Sequence, residues 1–278
     1  MTSKEKILAF LETNKDTYTS GEAMAAALGL SRNAIWKAIN ELRKSGYQID
    51  AVSNKGYQLA QSNDIISKQG ILSYINTDIS NVTDNIYIHD SLASTNRTAK
   101  EMAIAGNPHG TLVIAKKQES GKGRRDHNFF SPDGGIYMSI ILSPSKLPCL
   151  DPDVITAYTG VSVCNAINDL CSISPKIKPI NDLFVDGRKI CGILTESGIE
   201  FETGLVQWIV VGIGINFDSD ISAFPTELQN IVGSLYSPGN APISKNQLIA
   251  YIYNRLLCWD NLDADKIKSE YNKRLICK

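Results

Sequence analysis

The sequence predicts an α+β chain in two domains, on three observations. Its first sixty residues carry apolar side chains at helical spacing, closed by two short strand-like runs. From residue 85 onward, short apolar runs separated by turn residues outnumber helical stretches, as in a mixed or antiparallel sheet with a few covering helices. The length, 278 residues, exceeds the roughly 100–200 residues of an ordinary domain.

Composition sets limits on function. Apolar residues make up 43% and charged residues 21%, the proportions of a globular chain. Lys and Arg number 28 against 29 Asp and Glu, a net charge of −1, which excludes a protein that coats nucleic acid by bulk charge. The N-terminus has charges on both sides of a short apolar group and no small-residue cleavage site, so no signal peptide is expected. The longest apolar run, Trp208 to Phe217, falls short of the ~20 residues of a membrane span and reads as a buried strand. The six cysteines (149, 164, 171, 191, 258 and 277) form no CxxC pair and lie apart from the three histidines, so no metal cage is expected. Reduced thiols and a cytoplasmic setting follow for a chain long enough to build a core without disulfides.

In the first domain, Ile7, Leu8 and Leu11 form a helical stripe over 4–13. Thr19-Ser20-Gly21-Glu22 is a capping-box pattern opening a second short helix, which Gly29 ends. Ser31 is an N-cap for a third helix with Ile35, Ala38, Ile39 and Leu42 on one face, and Gly46 stops it. Strands over Tyr47–Val52 and Tyr57–Leu59 flank the turn Ser53-Asn54-Lys55-Gly56. Three helices and a hairpin are the layout of a winged helix-turn-helix. Opposite the apolar stripe of the third helix stand Arg32, Asn33, Trp36, Lys37 and Asn40. Four bases and one acid between residues 31 and 46 give a local net of +3 on a chain that is slightly acidic overall. Amide side chains can read base edges and cations can meet phosphates, so operator DNA is the expected partner; a solvated face on a protein-interaction module is the alternative. Residues 1–62 are assigned to this domain and 63–278 to the second, with the polar stretch 60–64 as linker.

The second domain opens on a short helix over Ile65–Ile75, then a strand at Ile86–Ile88 and a helix from near Asn96. Strands are expected at Thr111–Ala115 and Gly135–Leu142, and a helix over Val154–Cys171. Lys176–Lys178, Leu183–Val185, Arg188–Thr195 and Leu205–Phe217 read as consecutive strands, with Asp186-Gly187 as a tight hairpin turn. A capped helix over Ser244–Leu257 and a last helical stretch complete it.

Four segments can carry chemistry. Ser94-Thr95-Asn96, between a strand and a helix, offers donors and acceptors to a small polar ligand, or caps the helix. From Lys116 to Arg125 there are five bases and one acid, and the segment follows a strand. In it, Gly121 and Gly123 flank Lys122, which lets backbone and side chains wrap an anion; a surface turn is the plain alternative. Lys178, at the end of a strand, must meet an anion or reach water. Gly192, inside a strand, lets a ligand or another backbone approach closely, or marks a bulge. Neither a phosphate-cradling GxxxxGK[ST] loop nor a dinucleotide fingerprint occurs.

The order of these segments is more telling than any one of them. Ser-Thr-Asn is followed by Gln-x-x-Gly-Lys-Gly-Arg-Arg, then Lys-x-x-Asn-Asp-Leu, Gly-Arg-Lys-x-x-Gly-Ile-Leu-x-Glu and Gly-Ile-Gly-Ile-Asn, all behind a winged helix. This series resembles the bifunctional biotin–protein ligase and biotin-operon repressor family, over residues 4 to 275. The resemblance implies a biotin/lipoate-ligase-like catalytic domain that joins biotin to Mg-ATP, giving biotinyl-5′-AMP. It then passes the biotinyl group to a lysine of an acceptor (carboxyl carrier) protein. It implies that Ser94, Thr95, Asn96 and Gln118 hold the ureido ring, and that Lys122, Gly123, Arg124 and Gly192 complete the biotin site. Lys178 then stands beside the reacting carboxylate and α-phosphate, with Lys178 and Arg124 as the catalytic cations. Gly121, Arg125, Lys189 and Asn216 fall on the adenylate side. The resemblance further implies a homodimer favoured by biotinyl-AMP; from the apolar runs, no membrane partner is expected.

The chain departs from the family pattern at four points. Lys122 stands where arginine is usual, Asp126 where glycine is common, and Lys-Pro-Ile-Asn-Asp replaces Lys-Trp-Pro-Asn-Asp. Relatives also continue into a small SH3-like barrel past the point matching Lys278, and that barrel is expected to be absent.

Overall fold

The structure is a computed structural model and describes residues 1–15, 17–60, 63–76, 84–258 and 264–276. Linker residues 61 and 62, and Cys277, lie outside the described residues. The chain divides into two compact units, Met1–Ile75 with Ser244–Ala250, and Asn76–Ile243 with Tyr251–Lys278.

In the first unit, α1 (Ser3–Thr13), α2 (Gly21–Leu28) and α3 (Arg32–Lys44) precede the hairpin β1 (Ile49–Val52) and β2 (Gly56–Leu59). The stripes read from spacing form its core: Ile7, Leu8, Leu11, Ile35, Ile39 and Leu42 are all buried, with Met24 and Leu59. The capping box lies at Thr2 and Glu5 of α1, not at Thr19 and Glu22. Thr19 cannot cap, because its backbone N–H and carbonyl are both bonded to Tyr57 in a bridge to the wing. Ser20 therefore caps α2 through the N–H of Ala23. The helix expected over 65–75 shrinks to α4 (Lys68–Leu72). Residues 65 and 67 are instead pinned by Asn246, whose Oδ1 accepts from the Ser67 N–H and whose Nδ2 donates to the Ile65 carbonyl. Asp64 serves as a remote cap for the helix beginning at Lys245, accepting from its backbone N–H at 2.6 Å and its ammonium at 2.5 Å.

The second unit is built on a seven-stranded mixed sheet of β3 (Ile86–Leu92), β4 (Leu112–Gln118), β5 (Gly135–Leu142), β6 (Lys176–Lys178), β7 (Asp182–Val185), β8 (Arg188–Ile199) and β9 (Val206–Asn216). Their order is β3-β4-β5-β9-β8-β7-β6. The β3–β4 pair is parallel and joined by α5 (Thr95–Ile104); all the others are antiparallel. β5 is buried along its whole length and β9 over its last eight residues, which accounts for their unbroken apolar sequences. The β7–β8 turn has both Asp186 and Gly187 at positive φ, the geometry expected of an Asp-Gly hairpin. Helix α5 packs on β4, β5 and β9 through Ala99, Val113, Ile141 and Val210, and α6 (Pro152–Cys171) packs on β7 and β8. Helices α7 (Lys245–Leu257) and α8 (Ala264–Lys273) follow the sheet in sequence. β4 runs three residues past the expected end at Ala115, so Lys116, Lys117 and Gln118 are strand residues. Lys116 is paired with Asp90 at 2.7 Å and is no part of an anion-binding loop. No helix among the described residues is long and apolar enough to cross a membrane.

Candidate active site

The turn from β3 into α5 builds the polar end of the site. Ser94 occupies the N-cap position, yet its side chain makes no capping hydrogen bond, so the hydroxyl is not spent on the helix. Gln118, at the end of β4, accepts from the Thr95 N–H (2.8 Å) and Thr95 hydroxyl (3.2 Å) and donates to Ser131 Oγ at 2.9 Å. Asn96 accepts from the Ser139 hydroxyl at 2.6 Å and donates to Glu196 Oε2 at 2.8 Å and the Leu194 carbonyl at 3.3 Å. Ser94, Thr95 and Asn96 are all buried. Gly212 on β9 is required here, since a Cβ at that position would overlap the Asn96 amide. The result is a fixed, uncharged set of donors and acceptors.

The floor is apolar. Phe129 lies over Gly192 and Gly214, so the space that Gly192 leaves is filled by a ring of the protein itself. Phe129 packs edge-on against Tyr137 at 6.4 Å, and the Tyr137 hydroxyl donates to the Pro132 carbonyl at 2.6 Å. Burial holds the Tyr137 pKa well above the usual tyrosine value.

The basic segment folds back on itself. Phe129 N–H bonds to the Gly121 carbonyl (2.8 Å) and Gly123 N–H to the His127 carbonyl (2.7 Å), leaving Arg124 and Arg125 exposed near its tip. Arg125 has φ of 53°, a left-handed conformation. Gly121 is buried, and a Cβ there would run into the Phe129 carbonyl. Two more cations come from the sheet. Lys178 at the end of β6 holds its Nζ 5.5 Å over the Phe184 ring. Lys189 on β8 pairs with Asp182 at 2.8 Å and sits 5.9 Å over Phe129. Asn216 donates to the Gly233 carbonyl at 2.9 Å, and its buried Oδ1 has no hydrogen-bond partner.

These parts line one cleft of about 730 Å³. It brings together Ser94, Thr95, Asn96, Gln118, Lys122, Gly123, Arg124, Arg125, Lys178, Lys189, Gly192 and Asn216. Gly121 does not line it; its place is in the turn that returns the chain to Phe129. Sequence reasoning passed over Phe129 and Ser139 and assigned no role to Glu196. Glu196 closes the Gly-Arg-Lys-x-x-Gly-Ile-Leu-x-Glu series, but nothing in that series gives it a role.

Residues 89–216 match the biotin/lipoate A/B protein ligase family, and residues 3–58 match a helix-turn-helix domain. The bifunctional ligase/repressor BirA of Bacillus subtilis (strain 168) is 35% identical over 265 residues, 95% of this chain and 79% of that protein. The chain belongs to the biotin ligase/repressor family. The Escherichia coli (strain K12) member is 30% identical over 76% of this chain and 62% of its own length. Among solved structures, the biotin protein ligase of Aquifex aeolicus in complex with biotin and ATP superimposes with a TM-score of 0.58 at 21% identity, covering 69% of this chain and 78% of that one. At that identity it attests the fold.

For a ligase/repressor, the surface of α3 in the first unit is the second candidate site. Arg32, Asn33, Trp36 and Lys37 are exposed, Trp36 to 57%, while Asn40 is half-buried. Arg32 lies 3.9 Å from Glu22 in a fully exposed pair. Arg43, counted among the bases of this helix, is occupied: its guanidinium donates twice to the Ile49 carbonyl and ties α3 to the wing.

Proposed function

We propose that the chain is an ATP-dependent biotin–protein ligase that is also a biotin-responsive DNA-binding repressor. The observation that carries this reading is one cleft with a neutral hydrogen-bonding end, an apolar floor and a cationic end. A ureido group has two donors and one strong acceptor, and an uncharged set satisfies it without desolvating a charge. An apolar floor suits the thiophane ring and acyl chain.

At the cationic end, a carboxylate oxygen of biotin attacks the α-phosphorus of Mg-ATP. The bond from that phosphorus to the bridging oxygen breaks, and pyrophosphate leaves with biotinyl-5′-AMP formed. The acceptor lysine's amine then attacks the acyl carbon, AMP departs, and the amine proton goes to solvent. Carboxylate and triphosphate repel each other, and charge grows at the α-phosphoryl oxygens during attack. Lys178 and Arg124 act there as fixed cations that favour this state over the ground state. Lys122, Gly123 and Arg125 close on the adenylate, with Lys189 and Asn216 on its nucleotide side. No covalent enzyme nucleophile is required. Magnesium enters as part of the nucleotide substrate. The acceptor is a carboxyl carrier protein, and the setting is cytoplasmic.

The repressor half follows from linkage. An adenylate that binds the dimer better than the monomer draws two winged helices together on two half-sites.

The test is to incubate the chain with biotin, Mg-ATP and an acceptor domain and to analyse both products by mass spectrometry. Biotinyl-AMP together with a biotinylated lysine is the expected result. Adenylate without transfer would leave a biotin sensor; no reaction with biotin would defeat the reading.

A further inference from the structure

Glu196 lies on β8, about a third exposed, with one carboxylate oxygen 2.8 Å from the ammonium of Lys100 on α5. Its other oxygen accepts from Asn96 Nδ2 at 2.8 Å, and the same amide nitrogen donates to the Leu194 carbonyl at 3.3 Å. A carboxylate and a carbonyl only accept. Turning the Asn96 amide by half a revolution would therefore set its oxygen against two other oxygens. The orientation is forced by Glu196 and Leu194, and both N–H groups are consumed. Asn96 Oδ1 accepts from the Ser139 hydroxyl and lies where a Gly212 side chain would be. A carbonyl oxygen has two lone pairs, so Asn96, which lines the cleft, retains one acceptor position and no donor.

We propose that Glu196 is a positioning residue of the biotin site: it locks Asn96 with its oxygen toward the ligand, so that this position takes an N–H of the ureido ring and rejects a ring atom that only accepts. Lys100 holds Glu196 at the correct angle. The inference rests on the ligase reading above and assigns a direction to one of its hydrogen bonds. It also explains a charge placed inside a strand beside the neutral end of the cleft. A simple ion pair between β8 and α5 would do nothing to the ligand.

The test combines calorimetric biotin binding with KM values for biotin and ATP in pyrophosphate release, using the full chain. Glu196→Met keeps the length but removes the acceptor; biotin binding should weaken about tenfold or more, with the KM for ATP within about twofold. Glu196→Gln can still turn an oxygen toward Asn96, and its loss should stay near threefold, about the cost of one neutral hydrogen bond weakened. Asn96→Asp places a carboxylate against Glu196 and should cost about a hundredfold, while adding Glu196→Gln returns a donor and should recover at least tenfold of that. A role in packing alone predicts no such recovery. The inference is overturned if the Gln and Met variants lose equally, or if the double variant binds no better than Asn96→Asp. Should Asn96→Asp fail to fold, the comparison of Met with Gln decides the matter. A parent chain that binds no biotin would instead defeat the ligase reading itself.

Discussion

The ring of Phe129 rests on Gly214, in space that a Cβ at that position would fill. Gly214 and Gly192 are cross-strand partners on β9 and β8, and the same ring covers both. Two glycines side by side thus make a flat seat on the sheet, and the basic segment is anchored to it at its C-terminal end.

Gly214→Ala should push Phe129 out of its seat and misplace Arg124 and Lys122 with it. Overpacking of this kind costs about 1–3 kcal/mol, so adenylate formation should fall by ten- to a hundredfold with the fold retained. On a Phe129→Ala background the same change should cost much less, because its obstacle is gone. Pyrophosphate release from the four chains of this double-mutant cycle measures the coupling; additive losses would mean that ring and glycine act separately.

That relationship also marks where sequence reading stops. The helices of the first unit were legible because Ile7, Leu11, Ile35, Ile39 and Leu42 follow the helical period and are all buried. Ser94, Gln118 and Lys178 were legible through the order of their segments along the chain, each being weak alone. Phe129 was not, since an aromatic after a polar loop has no period to betray its partner, and the partner lies more than eighty residues away. Thr19 misled for a related reason: its role is fixed by a backbone bridge to Tyr57, and no local rule for capping contains that information. For Gly192 the sequence leaves a ligand, another backbone or a bulge; the occupant is a side chain of the same protein.

Lys178→Gln should separate chemistry from binding. The ammonium lies over the Phe184 ring; the substitution removes the charge and leaves a shorter side chain with a neutral polar end. Loss of a fixed cation that acts on developing charge is worth about 10²–10³ in rate. Adenylate formation should drop by that factor while the biotin Kd moves less than about threefold. Equal losses in both would place Lys178 in ground-state binding.

A buried carboxyl makes the first unit sensitive to pH. Glu12 is 4% exposed, its Oε1 has no hydrogen-bond partner, and its pKa is raised from 4.5. Burial is the main cause; Asp64 adds to it and Lys15 opposes it. Because the folded state holds this proton more tightly than the unfolded one, stability falls as pH rises from the unfolded value through the folded value, and the penalty is fully present above both. Glu12→Gln should therefore raise the melting temperature at pH 7, by about a few degrees in a chain of this size. The gain should shrink as pH falls through the raised pKa and vanish below 4.5. Thermal melts of both chains at pH 7 and pH 4 give the comparison, and a gain that persists at pH 4 would assign the effect to packing.

Asn33 and Lys37 both lie on α3. Lys37 is exposed, one turn beyond Asn33 on the face opposite the buried stripe of Ile35, Ala38 and Ile39. On a chain of net charge −1, affinity for DNA must come from such local cations, and each phosphate contact releases condensed counterions. Lys37→Ala should weaken binding to operator and unrelated duplex by similar factors and reduce the slope of log K against log salt by about 1. Asn33→Ala should instead weaken operator binding alone, by the roughly 1–3 kcal/mol of a base contact, and leave the slope unchanged. Fluorescence anisotropy over a salt series with both duplexes separates the two effects. If Lys37→Ala left the slope intact, the helix would not meet the phosphate backbone through this face, and the contact would have to come from the wing around Lys55.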